Sequence, residues 1–483
     1  MIRLSDVRTE QATLEEIFSP RGVAVVGASS SEGYPAMVVQ SLKMAGFPAV
    51  FPVNPKYAEV LGLPCYPSLQ AIPGVVDHVV VSIPAESALA LLDDCVAKGV
   101  KSVHFFTGGF SESGYTERAE LERAMFSKAK AGGFRIIGPN CTGFFVPKSR
   151  LVNIAIPGMG MPLEPGPISF LSQSGGHAQN LPADSGSRGL RFSKVVSYGN
   201  ALDVDESELL EYFSQDPETE IIAAYIEGVK DGRRFLKALE EAAARKPVVI
   251  SKGGMSEAGR RATYGHTASI TSSVSVFNAV CRQMKTIQVD DVDELIDMLV
   301  ALRFTNPLPC SNGVAIIGGG GGPAVQASDE MEKAGLQLPT LSPEVQAELR
   351  KFLPLAGSIF INPVDALNLA TPEAISATMN VVGKVSDIHM LIYHLGFHPI
   401  GGWGLGRFSS PVFLQPTIDA MKQAQKVTGK PILLALRPAL DLRGMEEFLA
   451  VQKAFVEAGF PVFYSLRGAA KAMARVVTWK QMR

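Results

Sequence analysis

The 483-residue sequence predicts an α/β protein built from three consecutive parallel-sheet domains. Three observations predict it. Short β-branched runs such as GVAVVGASS (22–30), KPVVISKGG (246–254) and GVAIIGGGGGPAV (313–325) each end in glycine and feed a helical pattern. The spacing between runs leaves room for a helix, so successive strands lie parallel with both sheet faces covered. With 46% hydrophobic and 19% charged residues, the chain has core enough for two to four domains.

The first unit opens with GVAVVGASS and continues through DHVVVSIPAES (77–87), SVHFFTGGFSESG (102–114) and FRIIGPNCTGF (134–144), closing at residue 147. The second begins with GPISFLSQSGGHAQNL (166–181). It continues through KVVSYGN, IIAAYIEGV and KPVVISKGG to the helical VDDVDELIDMLVALRF (289–304). TNPLPCSNG (305–313) has the Pro, Asn, Ser and Gly content of a linker. The third unit carries GVAIIGGGGGPAV, IHMLIYHLGFHP, KPILLALRP and FPVFYSL. The expected domains are therefore residues 1–147, 148–308 and 309–483.

Several function classes are excluded by composition. The formal net charge is -2 and no long basic run occurs, so no nucleic-acid partner is expected. The five cysteines are scattered without CxxC spacing, which argues against zinc or a disulfide framework and fits a reducing cytoplasm. Residues 1–18 hold no apolar signal core, and no apolar run is long enough to span a bilayer. We expect a cytoplasmic protein with no membrane partner and no bound metal. His389, His394 and His398 cluster in sequence, but their spacing in a strand-like run puts them on mixed faces, against a metal site.

The first glycine turn, VAVVGASSSEG, resembles a dinucleotide fingerprint but lacks the GxGxxG spacing, having Gly27 and Gly33. The following strand leads to Asn54 and Lys56, where an NAD site would place an acidic residue for the ribose. A lysine there favours an extra phosphate, as on the ribose of coenzyme A (CoA) or NADP. Ser29, Ser30 and Ser31 with the backbone N–H groups of the helix start suit a phosphate chain. A structural turn with a solvated lysine is the alternative.

Two further glycine turns open helices. SQSGGH (172–177) supplies Ser172, Ser174, Gly175 and Gly176, and IIGGGGGPAV supplies Gly320, Gly321 and Gly322 ahead of Pro323. Helix starts of this kind carry unpaired N–H groups and the positive end of the dipole, so they bind anions. Residues 251–275, SKGGMSEAGRRATYGHTASITSSVS, are small and polar with His266 near the centre. We read them as a mobile surface loop with little packing to break.

With PVNPK, GGFSESG and IGPNCTGF in this order, the first unit resembles the CoA-binding domain of nucleoside-diphosphate-forming acyl-CoA synthetases, the superfamily of the succinyl-CoA synthetase α subunit. SFLSQSGG, YIEGV and KGGMSEAGRRATYGHTASI extend the resemblance through the second unit, and VAIIGGGGGPAVQASDEMEKAGL and INPVDALNLATPE through the third. The resemblance implies a Rossmann-like CoA-binding domain followed by two flavodoxin-like, succinyl-CoA synthetase-like domains, the last a ligase-CoA domain. It implies His266 as a phosphoryl carrier and Glu227, at a predicted strand end, as the acceptor that orients its ring. It implies CoA contacts from Gly27, Ala28, Ser29, Ser30, Asn54, Lys56, Ile83, Pro84, Gly108, Gly109, Asn140 and Cys141. The two glycine helix starts then cradle phosphate. Cys141 as a nucleophile is disfavoured, because no activating histidine follows at a recognisable spacing and the family uses the CoA thiol. His177 departs from what the resemblance leads us to expect and either touches the acyl group or packs. Phe144, Phe145 and Tyr198 either line an apolar pocket or belong to the core.

No Walker A motif occurs, and three α/β units use the chain. The resemblance therefore implies a hetero-oligomer with an ATP-grasp β-type subunit that holds Mg-ADP/ATP. The expected reaction interconverts acyl-CoA, phosphate and NDP, in the first instance ADP, with carboxylate, CoA and NTP. Rival classes are an NADP-dependent oxidoreductase, a non-catalytic acyl-CoA-binding regulator, and a lyase that borrows the activation step.

Overall fold

The computed structural model describes residues 11–31, 33–154, 160–267, 273–318, 320–366, 369, 371–396, 410–438 and 441–483. The chain forms two compact units, one of residues 1–186 and 191–292, the other of residues 187–190 and 293–483.

The first unit holds two sheets. In the first sheet five parallel strands lie in the order Val50–Val53, Val23–Val26, His78–Val81, Ser102–Phe105, Arg135–Ile137. The central strands are buried along their length, as expected for a sheet covered on both faces. Side chains alternate between two cores. Val23 and Val25 join the core shared with the second sheet, whereas Ala24 and Val26 pack with Val79, Val81 and Phe105 on the other face.

The second sheet has seven strands in the order Ile287–Val289, Val248–Lys252, Ile221–Ile226, Ile168–Ser172, Phe192–Ser197, Phe144–Val146, Leu151–Val152. The first five are parallel, and the last two are antiparallel additions. Phe144 and Phe145 are thus core residues of this sheet's edge, and Tyr198 is equally buried. The helix Gly232–Arg245 shows how the sequence sets this packing. Asp231 caps it by accepting from the N–H groups of Arg233 and Arg234, and Phe235, Ala238, Leu239 and Ala242 form its buried stripe. The second sheet is tied to the first by an ionic cluster. Arg135 donates to Asp203 at 2.9 Å and to Glu208 at 2.7 Å, with Arg135 and Asp203 nearly buried.

Residues 251–275 are not a loop throughout. After the strand Val248–Lys252, a helix runs Glu257–Thr267 and another starts at Val274. Ser256 caps the first of these, its hydroxyl accepting from Gly259 N–H at 2.9 Å, and Glu257 pairs with Arg261 one turn on. Residues 257–262 are exposed or half-buried on every side. Over these described residues no apolar stripe is buried, so the missing stripe was not evidence against a helix.

The second unit is one sheet in the order Ile359–Phe360, Val364–Asp365, Val314–Ile317, Met390–Gly396, Ile432–Arg437, Val462–Phe463, parallel except for its first pair. His389 precedes the strand Met390–Gly396 and His394 lies near its far end, while His398 is outside the described residues. Among the described residues no group of His, Cys, Asp and Glu could hold a metal ion. No described helix is long and apolar enough to cross a membrane.

Candidate functional site

In the first sheet the strand order reverses around Val23–Val26, which is flanked by Val50–Val53 and His78–Val81. Open parallel sheets bind ligands beyond the carboxyl ends of the strands at such a reversal. Gly27, Ala28, Ser29, Ser30, Asn54, Lys56, Ile83, Pro84, Gly108, Gly109, Asn140 and Cys141 all follow strands of this sheet and gather at that edge. Gly27 adopts φ +89°, and a Cβ there would stand 2.5 Å from the Ser82 carbonyl oxygen, so only glycine lets the two strand ends close up. The Asn54 side chain straps the edge, donating to the Ala28 carbonyl at 2.7 Å and accepting from Lys56 N–H at 3.0 Å. Lys56 itself is exposed.

Two of these residues differ from expectation. The Gly109 N–H is taken by Glu112 Oε1 at 2.5 Å, so it does not offer itself to a phosphate in this arrangement. The Cys141 thiol is buried, directed at the Phe105 carbonyl, and burial pushes its pKa up. It is a core group rather than a ligand-facing one. Asn140 holds a left-handed φ of +58°, its N–H donating to the Thr107 carbonyl.

Behind this loop lies a buried polar network that sequence reading missed. His78 and His104 stack nearly parallel with centroids 6.3 Å apart, and the Asn153 amide lies 3.5 Å and 3.4 Å from them. His104 Nε2 meets the Cys141 carbonyl at 2.9 Å, and His78 Nδ1 meets Ser102 Oγ at 2.8 Å. Burial lowers the histidine pKa values to about 3 and about 4, so both rings stay neutral. The available signal was a histidine in each of two largely apolar strands, HVVV and SVHF.

In the second sheet the strand ends at Ser172, Ile226 and Lys252 lie side by side, with Ser172 paired to Tyr225 and Ile226 to Lys252. The helix Gly175–Gly186 starts from the first of these. Ser172 Oγ donates to the Ser174 carbonyl at 2.7 Å, and Ser174 Oγ accepts from His177 N–H at 3.4 Å, so both hydroxyls shape the cap. Gly175 lies against Thr142, and Gly176 is exposed with room around it. Glu227 follows the second strand and is buried. Its N–H and that of Gly228 both donate to Gln173 Oε1, at 2.8 and 3.0 Å. The Tyr225 phenol, its pKa raised by burial and by Glu227, hydrogen-bonds the Glu227 carboxylate. The His177 ring packs edge-on to Tyr225 at 4.4 Å, and burial lowers its pKa against the pull of Glu227. Lys252 ends the third strand, and burial lowers its ammonium to about 8 against the same carboxylate.

His266 falls in the last turn of the helix Glu257–Thr267, which springs from this third strand end. Its side chain lies outside the described residues, and so does any pairing with Glu227.

The third glycine turn is in the second unit. Gly320 has φ +84° and caps the helix Gly321–Ala334, which includes Gly321 and Gly322, while its N–H donates to Asp365 Oδ1 at 3.1 Å. A Cβ on Gly322 would meet nothing.

Comparison with known proteins agrees with this architecture. A CoA binding domain model matches residues 21–147, a model for the succinyl-CoA ligase like flavodoxin domain matches 165–302, and a Ligase-CoA domain model matches 314–442. The chain is 37% identical to acetate–CoA ligase [ADP-forming] II subunit alpha of Pyrococcus furiosus, covering 78% of this chain and 81% of that one. It belongs to the ADP-forming acyl-CoA synthetases. Another member, acetate–CoA ligase [ADP-forming] I of Archaeoglobus fulgidus, is 35% identical over 86% of this chain, which spans only 57% of that relative's length. Among solved structures of this family, the Ca. Korarchaeum cryptofilum dinucleotide forming acetyl-coenzyme A synthetase 1, in complex with phosphate and ADP, superposes with a TM-score of 0.78. Its identity is 29%, and 97% of each chain is covered.

Proposed function

We propose that this ADP-forming acyl-CoA synthetase chain is an α-type subunit. It interconverts acyl-CoA, phosphate and ADP with carboxylate, CoA and ATP through an acyl phosphate and phospho-His266. The observation that carries this reading is the adjacency of three strand ends in the second sheet. A glycine helix start, Glu227 and the root of the helix bearing His266 leave one edge together. The domain assignment that goes with it is CoA-binding residues 1–147, phosphohistidine residues 148–308 and ligase-CoA residues 309–483, in keeping with the three family models.

A phosphate oxygen attacks the thioester carbon of acyl-CoA; the C–O bond forms, the C–S bond breaks and CoA leaves as the thiol. A neutral imidazole nitrogen of His266 then attacks phosphorus; the N–P bond forms and the carboxylate leaves. Glu227 accepts from the other ring N–H, fixing the tautomer and offsetting the positive charge that develops as phosphate arrives. The N–H groups of the Ser174–Gly176 helix start hold the phosphoryl oxygens. Finally ADP takes the phosphoryl group from the histidine.

CoA lies on the edge formed by Gly27–Ser30, Asn54, Lys56, Ile83, Pro84, Gly108 and Asn140, with Lys56 facing the ribose 3′-phosphate. An ATP-grasp β-type partner supplies the Mg-ADP/ATP site. This is supported by the α-subunit names of relatives and by the extra length of the Archaeoglobus relative. Short acids such as acetate are the first substrates to test, because acetate–CoA ligases recur among the relatives.

Intact mass spectrometry of the chain after acetyl-CoA plus phosphate tests the reading. Wild type should gain one phosphoryl group and His266→Ala none. Absence of the adduct from wild type would sink the mechanism.

A further inference from the structure

Lys252 has no part in the chemistry above, yet it is a buried cation at the centre of the site. It ends the strand Val248–Lys252 and is 4% exposed. Its Nζ donates to the Glu227 carbonyl at 2.7 Å and to the Gly253 carbonyl at 2.5 Å. The same ammonium stands 5.6 Å from the centroid of the Phe277 ring, which is buried in the helix Val274–Gln283. One charged group therefore reaches three places. They are the residue after the neighbouring strand, the first residue after its own strand, and the first turns of the helix that follows the His266 segment.

A buried ammonium is costly unless oxygens or a ring face take up its charge. Lysine provides a point charge with several donors on a flexible stem, which suits two converging carbonyls better than a planar guanidinium. The backbone around it is closely fitted. A Cβ on Gly253 would meet the Tyr225 hydroxyl at 2.7 Å and Glu227 Cγ at 3.1 Å. Gly254 follows in a left-handed conformation, φ +72°. The excursion that carries His266 thus leaves the sheet at Lys252, the helix that follows it brings Phe277 to the same ammonium, and its departure point lies against Glu227.

We propose that Lys252 is a positioning residue that clamps both roots of the His266-bearing segment and fixes their register to Glu227. It touches no reacting atom, and the proposal rests on the reading of His266 as the phosphoryl carrier. The clamp sets where the helix Glu257–Thr267 starts relative to the carboxylate that orients the histidine ring. Reacting groups displaced by about 1 Å lose on the order of 100-fold in rate.

The test is the rate of phosphoryl adduct formation on the full chain with acetyl-CoA plus phosphate, measured by quenched-time intact mass spectrometry. Lys252→Met keeps the stem and removes the charge. Adduct formation should slow by about 10- to 100-fold, with CoA affinity and Tm close to wild type. Lys252→Gln makes the same comparison if the methionine variant does not fold. Adduct formation at the wild-type rate per folded molecule, with or without a lower Tm, overturns the clamp and leaves phospho-His266 standing. No adduct in wild type itself overturns the phosphohistidine reading and the clamp together.

Discussion

The Thr142 hydroxyl donates to the Gly175 carbonyl across 3.2 Å, joining the last loop of the first sheet to the glycine helix start of the second. The Thr142 carbonyl accepts from the Tyr34 hydroxyl at 2.8 Å, and its N–H meets Ser197 Oγ at 3.2 Å. One residue thereby links the helix that follows the first glycine turn with the glycine turn at Ser174–Gly176. Thr142→Val keeps the shape and removes the hydroxyl. It should cost about 1 kcal/mol of stability, read by urea denaturation, and slow adduct formation on His266 more than it weakens CoA binding. Equal losses in both would place Thr142 in the CoA site alone.

Lys56 carries the phosphate part of the CoA reading. Lys56→Ala should weaken CoA about tenfold, a modest charge-assisted contact, while leaving dephospho-CoA unchanged. Isothermal titration with the two ligands measures the difference, and the wild-type preference should shrink with added salt. An unchanged preference would remove Lys56 from the site.

Glu206 gives a pH dependence of stability. Burial, with Asp205 adding to it and Lys230 opposing, raises its carboxyl from 4.5 to about 7. The unfolded chain therefore ionises first as pH rises, and the contribution of this group to stability falls between about pH 4.5 and 7 and is flat beyond. Glu206→Gln abolishes that loss. The variant should gain on wild type by roughly 3 kcal/mol from pH 4.5 to pH 8, measured as the difference in unfolding free energy at the two pH values. A constant difference would show that the carboxyl is not held neutral.

Arg135 is nearly buried between Asp203 and Glu208. Arg135→Met leaves those carboxylates facing a thioether. We expect a loss of about 3–5 kcal/mol, read as a fall in the urea midpoint at constant slope. Arg135→Met with Asp203→Asn and Glu208→Gln should recover part of it.

Much of this molecule was readable from its residues. The short runs rich in β-branched residues that lead to glycine became the buried parallel strands Val23–Val26, Val248–Lys252 and Val314–Ile317, because a strand covered on both faces must be apolar on both. The short antiparallel pair Phe144–Val146 and Leu151–Val152 was not readable, since two- and three-residue strands carry no period of their own. The helix Glu257–Thr267 escaped for the opposite reason. Helix reading depends on a buried stripe, and residues 257–262 of this helix present none. The crevice residues were found through glycine and strand ends, but the sequence could not say which N–H groups were already taken, as Gly109 is by Glu112. Asn153 and His104 were invisible as partners because 49 residues separate them.

The helix that holds His266 also bears on the travel proposed for its phosphoryl group. Eleven residues at about 1.5 Å each form a rod of about 16 Å, with His266 in its final turn. Were the proposed phosphoryl cargo carried on this rod and the rod to turn at its base near Gly254, its path would be an arc of fixed radius. Its reach is set by the length of the arm and the angle of swing. A turn of about 60° would carry the tip about 16 Å, the length of the rod itself. A floppy tether would sample a volume and find its docking points by diffusion, whereas a boom of fixed length can serve only stations placed on its circle.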